Sequence, residues 1–133
     1  MRNPFISLPF LILLTGCFGD ESLTGYAPGQ WRLVQAGPQA ANTPRQHITL
    51  DLSSRGRISG QGPCNAYSAT QTAPYPWFEP GPITSARADC PDLAAERAYL
   101  AALSRMQLAE VSGPVLILSN EAGETLEYRL VAQ

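Results

Sequence analysis

The chain has 133 residues, a length that fits one domain. Its formal charge is −2, and its nine basic residues are all arginine. That balance gives no basic surplus for nucleic acid and no acidic run of a disordered tail, while twelve prolines and eleven glycines predict turns and short elements rather than long helices.

Residues 1–16 read as a signal peptide. Arg2 supplies the positive start, and Phe5 to Leu14 is an apolar run interrupted by Pro9. A bilayer-spanning helix needs roughly 20 apolar residues, so this run is too short to stay as an anchor. It ends in Leu14-Thr15-Gly16-Cys17, which resembles the lipobox of bacterial lipoproteins. The resemblance implies a diacylglycerol thioether on Cys17, cleavage just before it past two small residues, and acylation of the new amino group. One acyl chain holds a protein only marginally, whereas two or more hold it stably. Residues 17–28 are then a lipid-anchored tether, polar from Phe18 to Ala27, and residues 29–133 the domain. The expected location is the periplasmic face of a membrane. The outer membrane is favoured over the inner, because Phe18 rather than Asp follows the lipidated cysteine.

Along the domain, Trp31, Leu33 and Gln35 alternate with Arg32 and Val34 as in a half-buried strand. A loop rich in Gly, Pro, Ala and Asn follows, from Gly37 to Pro44. Ile48, Leu50 and Leu52 then alternate with Thr49 and Asp51, and after a turn at Ser53–Gly56 the segment "RISGQG" completes a hairpin. "CNAYSATQ" adds a strand with Asn65 and Tyr67 on one face. "APYPWFEPGP" cannot be a central strand, because its prolines lack ladder donors; it is expected to run along an edge or across an opening. "CPDLAAERAYLAALSRM" is the one helix, with Pro91 at its first position and Ala95, Tyr99, Ala102, Leu103 and Met106 on its apolar face. Gly113-Pro114 ends that pattern. "VLILS", the turn "NEAG" and "TLEYRLV" form the last hairpin. Strands, one helix, then strands predict an antiparallel α+β domain.

Together these features resemble the META domain family, the group that includes the HslJ-like heat-shock lipoproteins. "GQGPCNAYSA" resembles the family's Gly-rich signature around Cys-Asn-x-Tyr. "ITSARADCPDLAAERAYLAAL" resembles its second signature, with Glu96, Tyr99 and Leu103 at the Glu, aromatic and Leu positions. The match runs from about residue 29 to 131. Pro63 and Ala69 depart from it where glycine is usual. The resemblance implies a compact, partly closed, barrel-like β structure with one helix packed on it. It carries an association with envelope stress and no settled catalytic site.

Lipidation of Cys17 leaves Cys64 and Cys90 as an even pair in an oxidising setting. Neither sits in a Cys-x-x-Cys motif, and a zinc site needs about four ligands, so a structural disulfide is expected over a metal or redox pair. Gly60 and Gly62 read as a bulge or tight bend, and Asn65 and Tyr67 as structural parts of the same motif. His47, the lone histidine, reads as a solvated residue at a strand start. Asp89 and Asp92 flank Cys90 and read as a helix-start cap. Tyr75, Trp77 and Phe78 are either a lid over the core or a docking strip, with the lid favoured because a small domain needs its aromatics for burial.

No nucleophile, base and orienting group converge, so no enzyme, metal or cofactor is expected. The expected function is a non-enzymatic, lipid-anchored envelope protein with a binding or stress-related role and an envelope protein as possible partner. The alternatives are a binder of a small apolar ligand or lipid and an inhibitor of a cell-wall hydrolase. A monomer is expected, with contact to the membrane through the lipid and none to nucleic acid.

Overall fold

The structure, a computed structural model, describes Ile12, residues 19–37 and residues 47–133. Cys17, the rest of the signal-peptide and lipobox residues apart from Ile12, and most of the loop expected at 37–44 lie outside the described residues. The elements in order are α1 (Leu23–Tyr26), β1 (Gln30–Gly37), β2 (Thr49–Ser54), β3 (Arg57–Gln61), β4 (Ala66–Thr70), β5 (Thr84–Ser85), α2 (Leu93–Arg105), β6 (Leu108–Ser112), β7 (Val115–Ser119) and β8 (Thr125–Ala132). No helix among the described residues is long and apolar enough to cross a membrane.

All eight strands join one antiparallel sheet in the order β5-β4-β3-β2-β1-β8-β7-β6. Period-2 alternation explains most of the inner face. Leu50 and Leu52 of β2, with Ile48 just before it, are fully buried, as are Leu116 and Leu118 of β7 and Leu126 and Tyr128 of β8. Each such leucine or isoleucine contributes about 1.5–3 kcal/mol by leaving water. Strand β1 departs from the expected pattern. Trp31 and Leu33 are buried, but Ala36 then takes the inner position and Gln35 is exposed. The cause is a register shift against β8 between Leu33 and Gln35, which moves every later side chain to the other face.

Helix α2 packs Tyr99, Ala102, Leu103 and Met106 into the concave side of the sheet. It begins two residues later than expected. Pro91 lies in the preceding turn, and Asp92 is the N-cap residue although its side chain makes no capping bond. Its last turn is fixed by Arg105, whose Nε and one terminal nitrogen donate to the two carboxylate oxygens of Glu124 at 2.8 and 2.7 Å. Glu124 is buried in the turn before β8, so this ion pair ties helix to sheet.

The sheet curls without closing. The proline-rich segment between β4 and β5 spans the opening and reaches the far edge, where Trp77 bridges Leu108 of β6. Ladder bonds were not expected there, but Phe78 N–H donates to the Gln107 carbonyl and Ala109 N–H donates to the Pro76 carbonyl. Pro76 takes part because only its carbonyl is needed. Gln71, fully buried, holds the strap from inside: its amide nitrogen donates to the Trp77 carbonyl and its oxygen accepts Glu79 N–H.

The tether expected over residues 17–28 is packed along its second half. Leu23 is fully buried, and Ser22, Thr24 and Ala27 are nearly so. Asp20 caps this segment by accepting Ser22 N–H and the Ser22 and Thr24 hydroxyls, and Thr24 Oγ1 accepts Gly56 N–H from the β2–β3 turn. Trp31 donates from its indole nitrogen to the Ala27 carbonyl. Among the described residues, the packed part therefore reaches back to Asp20.

Candidate functional site

Cys64 and Cys90 are joined, with Cα atoms 6.1 Å apart, and the bridge ties the entry of β4 to the start of α2. Beside it stands a charged group that composition gave no reason to bury. Glu96 is 2% exposed. Its Oε1 accepts the backbone N–H groups of Cys64 at 3.1 Å and Asn65 at 2.5 Å, and its Oε2 accepts the Asn65 side-chain amide at 2.7 Å. Asn65 completes the clamp by accepting Ala88 N–H on its Oδ1. Burial alone would raise the Glu96 pKa, but the bonds from Asn65 and Cys64 outweigh it and hold the carboxyl below the ordinary glutamate range.

Close approach calls for glycine at both motif positions, and Gly62 N–H also donates to the Asn65 carbonyl across a tight turn. A β-carbon on Gly62 would stand 2.7 Å from Glu96 Oε1, and one on Gly60 would stand 2.1 Å from the Thr49 carbonyl oxygen. Tyr67, opposite Gly60 on the adjacent strand β4, continues inward. Its hydroxyl donates to the Thr49 carbonyl at 2.6 Å, a group that can only accept. This fixes the whole chain of protons: Tyr99 donates to Tyr67 at 2.9 Å, and Tyr128 donates to Tyr99 at 2.9 Å. Burial pushes all three hydroxyls well above the ordinary tyrosine value.

Against this knot, with Glu96 in its wall, lies a cleft of about 620 Å³ between residues 83–89 and the first half of α2. Ile83, Leu93 and Leu100 supply apolar surface, Arg87 and Arg97 supply positive charge, and Asp89 and Glu96 supply negative charge. Arg87 adopts a left-handed backbone conformation with φ of 57°, where non-glycine residues are uncommon. The cleft can hold a group with an apolar body and an anionic end. Two of its members stand out in the sequence, Asp89 as a cap residue and Glu96 as the motif glutamate; neither reading points to a cleft. The signal available was Arg97 lying off the apolar face of the helix, but only the fold brings residues 83–89 opposite it.

The aromatic segment divides. Phe78 is fully buried and serves as the lid residue. Trp77 is 52% exposed. Tyr75 is half-buried, accepts Val111 N–H on its hydroxyl oxygen, and stacks at 3.9 Å on Tyr26 of α1. The three residues therefore do not form one surface. His47 is exposed just ahead of β2 with φ of 70°.

Two solved structures share this architecture. A protein from Burkholderia xenovorans, determined by NMR, is 23% identical with a TM-score of 0.66, covering 83% of this chain and 87% of that one. A crystal structure of a DUF4847 family protein from Bacteroides vulgatus is 13% identical with a TM-score of 0.60, covering 81% and 96%. At these identities the likeness concerns the fold. No curated protein matches the sequence. The META domain family matches residues 22–133, starting where the buried N-terminal segment starts and running to the end of the chain, and the protein belongs to the META domain family.

Proposed function

We propose that this protein is a lipid-anchored component of the bacterial cell envelope whose META domain is a non-enzymatic binding module. The anchor reading rests on Leu14-Thr15-Gly16-Cys17, and Phe18 after the cysteine favours the outer membrane over the inner. The observation that carries the binding reading is the amphipathic cleft beside α2, where Arg87 and Arg97 flank Leu93 and Leu100. The ionisable groups with displaced pKa values support it from the other side. Glu96, Glu124 and the three tyrosines are each committed to holding two parts of the fold together, which is the work of a scaffold.

The partner is an envelope protein offering an acidic and apolar segment. Crosslinking in intact envelopes followed by capture tests this, with Arg97→Glu as the comparison. Arg97 is exposed and makes no bond in the knot, so the variant should fold normally and lose the partner. Equal capture by wild type and variant would end the cleft reading. A small anionic lipid is the second reading, favoured by the same pairing of arginines with apolar surface; extraction of the purified protein and mass spectrometry would reveal it.

A further inference from the structure

We infer that the domain lies directly on the membrane surface, with Tyr26 and Trp77 inserted among the lipid headgroups. This rests on the proposed lipid anchor at Cys17 and gives it a geometry. Only Phe18 and Gly19 lie between Cys17 and Asp20, and the three steps of chain span at most about 11 Å when fully extended. Asp20 is not slack. Its carboxylate is bonded to Ser22 and Thr24, and Thr24 is bonded in turn to Gly56 N–H at 2.9 Å. The headgroup layer on each side of a bilayer is roughly 5–7 Å deep. A domain clamped at Asp20 therefore cannot stand clear of the surface that holds Cys17.

What the domain presents beside Asp20 has the chemistry of that interface. Tyr26 is 59% exposed and stacks flat on Tyr75. Two residues further along the strap, Trp77 is 52% exposed, and its bridge partner Leu108 is also exposed. Tyrosine and tryptophan with one apolar and one polar end are the side chains that settle at headgroup level. Charge nearby is mixed, since Asp20 and Glu21 share a cleft with Arg55. The contact is therefore aromatic rather than electrostatic, and salt should change it little. None of these residues lines the cleft beside α2, so that cleft stays available to a partner.

The test uses the mature protein purified from membranes and reconstituted into vesicles of dioleoyl-phosphatidylcholine, or of phosphatidylcholine brominated in the upper acyl chain. Trp31 is buried, so Trp77 is the tryptophan that bromine can reach. The expected result is loss of the Trp77 share of the emission in brominated vesicles, with no loss in Trp77→Phe. Intact mass is measured on the same sample. A diacylglycerol adduct with no bromine quenching overturns the contact and leaves the anchor standing. Absence of the adduct, with protein washing off the vesicles, overturns both.

Discussion

Asn65 approaches Glu96 twice, donating from its backbone N–H to one carboxylate oxygen and from its side-chain amide to the other. The residue after Cys64 is thereby held to α2 independently of the disulfide. Asn65→Ala removes one of the donors to a buried charge and should cost about 1.5–3 kcal/mol in urea unfolding. Glu96→Gln should cost a similar amount. The double variant should cost less than the sum, because either change alone orphans the other partner. Additive losses would mean that the two residues do not act as a unit.

The same carboxyl sets an acid limit. Glu96 and Glu124 both have folded pKa values below the ordinary 4.5. Glu124 is lowered first by its bond from Arg105. A depressed folded pKa contributes stability that is present above the unfolded value and lost as pH falls through the folded one. Melting temperature should therefore hold steady above about pH 5 and fall progressively below about pH 4.5. Glu124→Gln, less stable at neutral pH, should show a shallower acid decline.

Reduction of the Cys64–Cys90 bridge opens a loop of 26 residues. On the chain-entropy model the loss is about 3.5 kcal/mol. Thiol alkylation of unreduced protein should label neither cysteine, and reduction should lower the melting temperature by several degrees per kcal/mol lost. The Asn65–Glu96 clamp should keep the reduced protein folded at room temperature.

The tyrosine chain has a middle and an end. Tyr99→Phe breaks both of its bonds and leaves the Tyr128 hydroxyl without its acceptor, so it should cost about 1–3 kcal/mol. Tyr128→Phe removes one bond from the terminus and should cost less. Because burial raises all three pKa values, their stabilising effect is full below pH 10 and fades as pH rises through the folded values. Ultraviolet titration should show Tyr67, Tyr99 and Tyr128 ionising well above the ordinary tyrosine value.

The strap offers a paired comparison. Phe78→Ala empties a fully buried site and should cost about 3–5 kcal/mol. Trp77→Ala should cost under about 1 kcal/mol, since half of the ring is already in water. Equal losses would return Trp77 to the core.

Where sequence periodicity reflects a single environment, the fold was legible. Ile48, Leu50 and Leu52, and Leu126 and Tyr128, sit on one wall of the core, and their alternation says so. Tyr99, Leu103 and Met106 mark the helix for the same reason. Strand β6 was not foreseen, because Leu108–Ser112 contains Ala and Glu, alternates over too few positions, and pairs partly with the strap. The N-terminal segment read as a tether because Leu23 is alone among polar residues, and its burial depends on the sheet. Glu96 belonged to a recognisable motif, but its role is tertiary: its partners Cys64 and Asn65 lie some thirty positions away in the chain. The cleft is invisible for the same reason, since Arg87 and Arg97 meet across two elements.

Inside the sheet the first and last strands pair with each other, Leu33 lying opposite Tyr128 and Trp31 opposite Leu130. Synthesis delivers these strands at opposite times. A nascent chain carries β1 from the outset with its partner still unmade, and loop closure between them spans nearly the whole domain. No N-terminal half can fold on the ribosome. A stop codon before Thr125 removes β8, the strand that joins β1 to β7, and the resulting fragment is expected to be unfolded by circular dichroism and quickly degraded in cells, even though it lacks only the last nine residues.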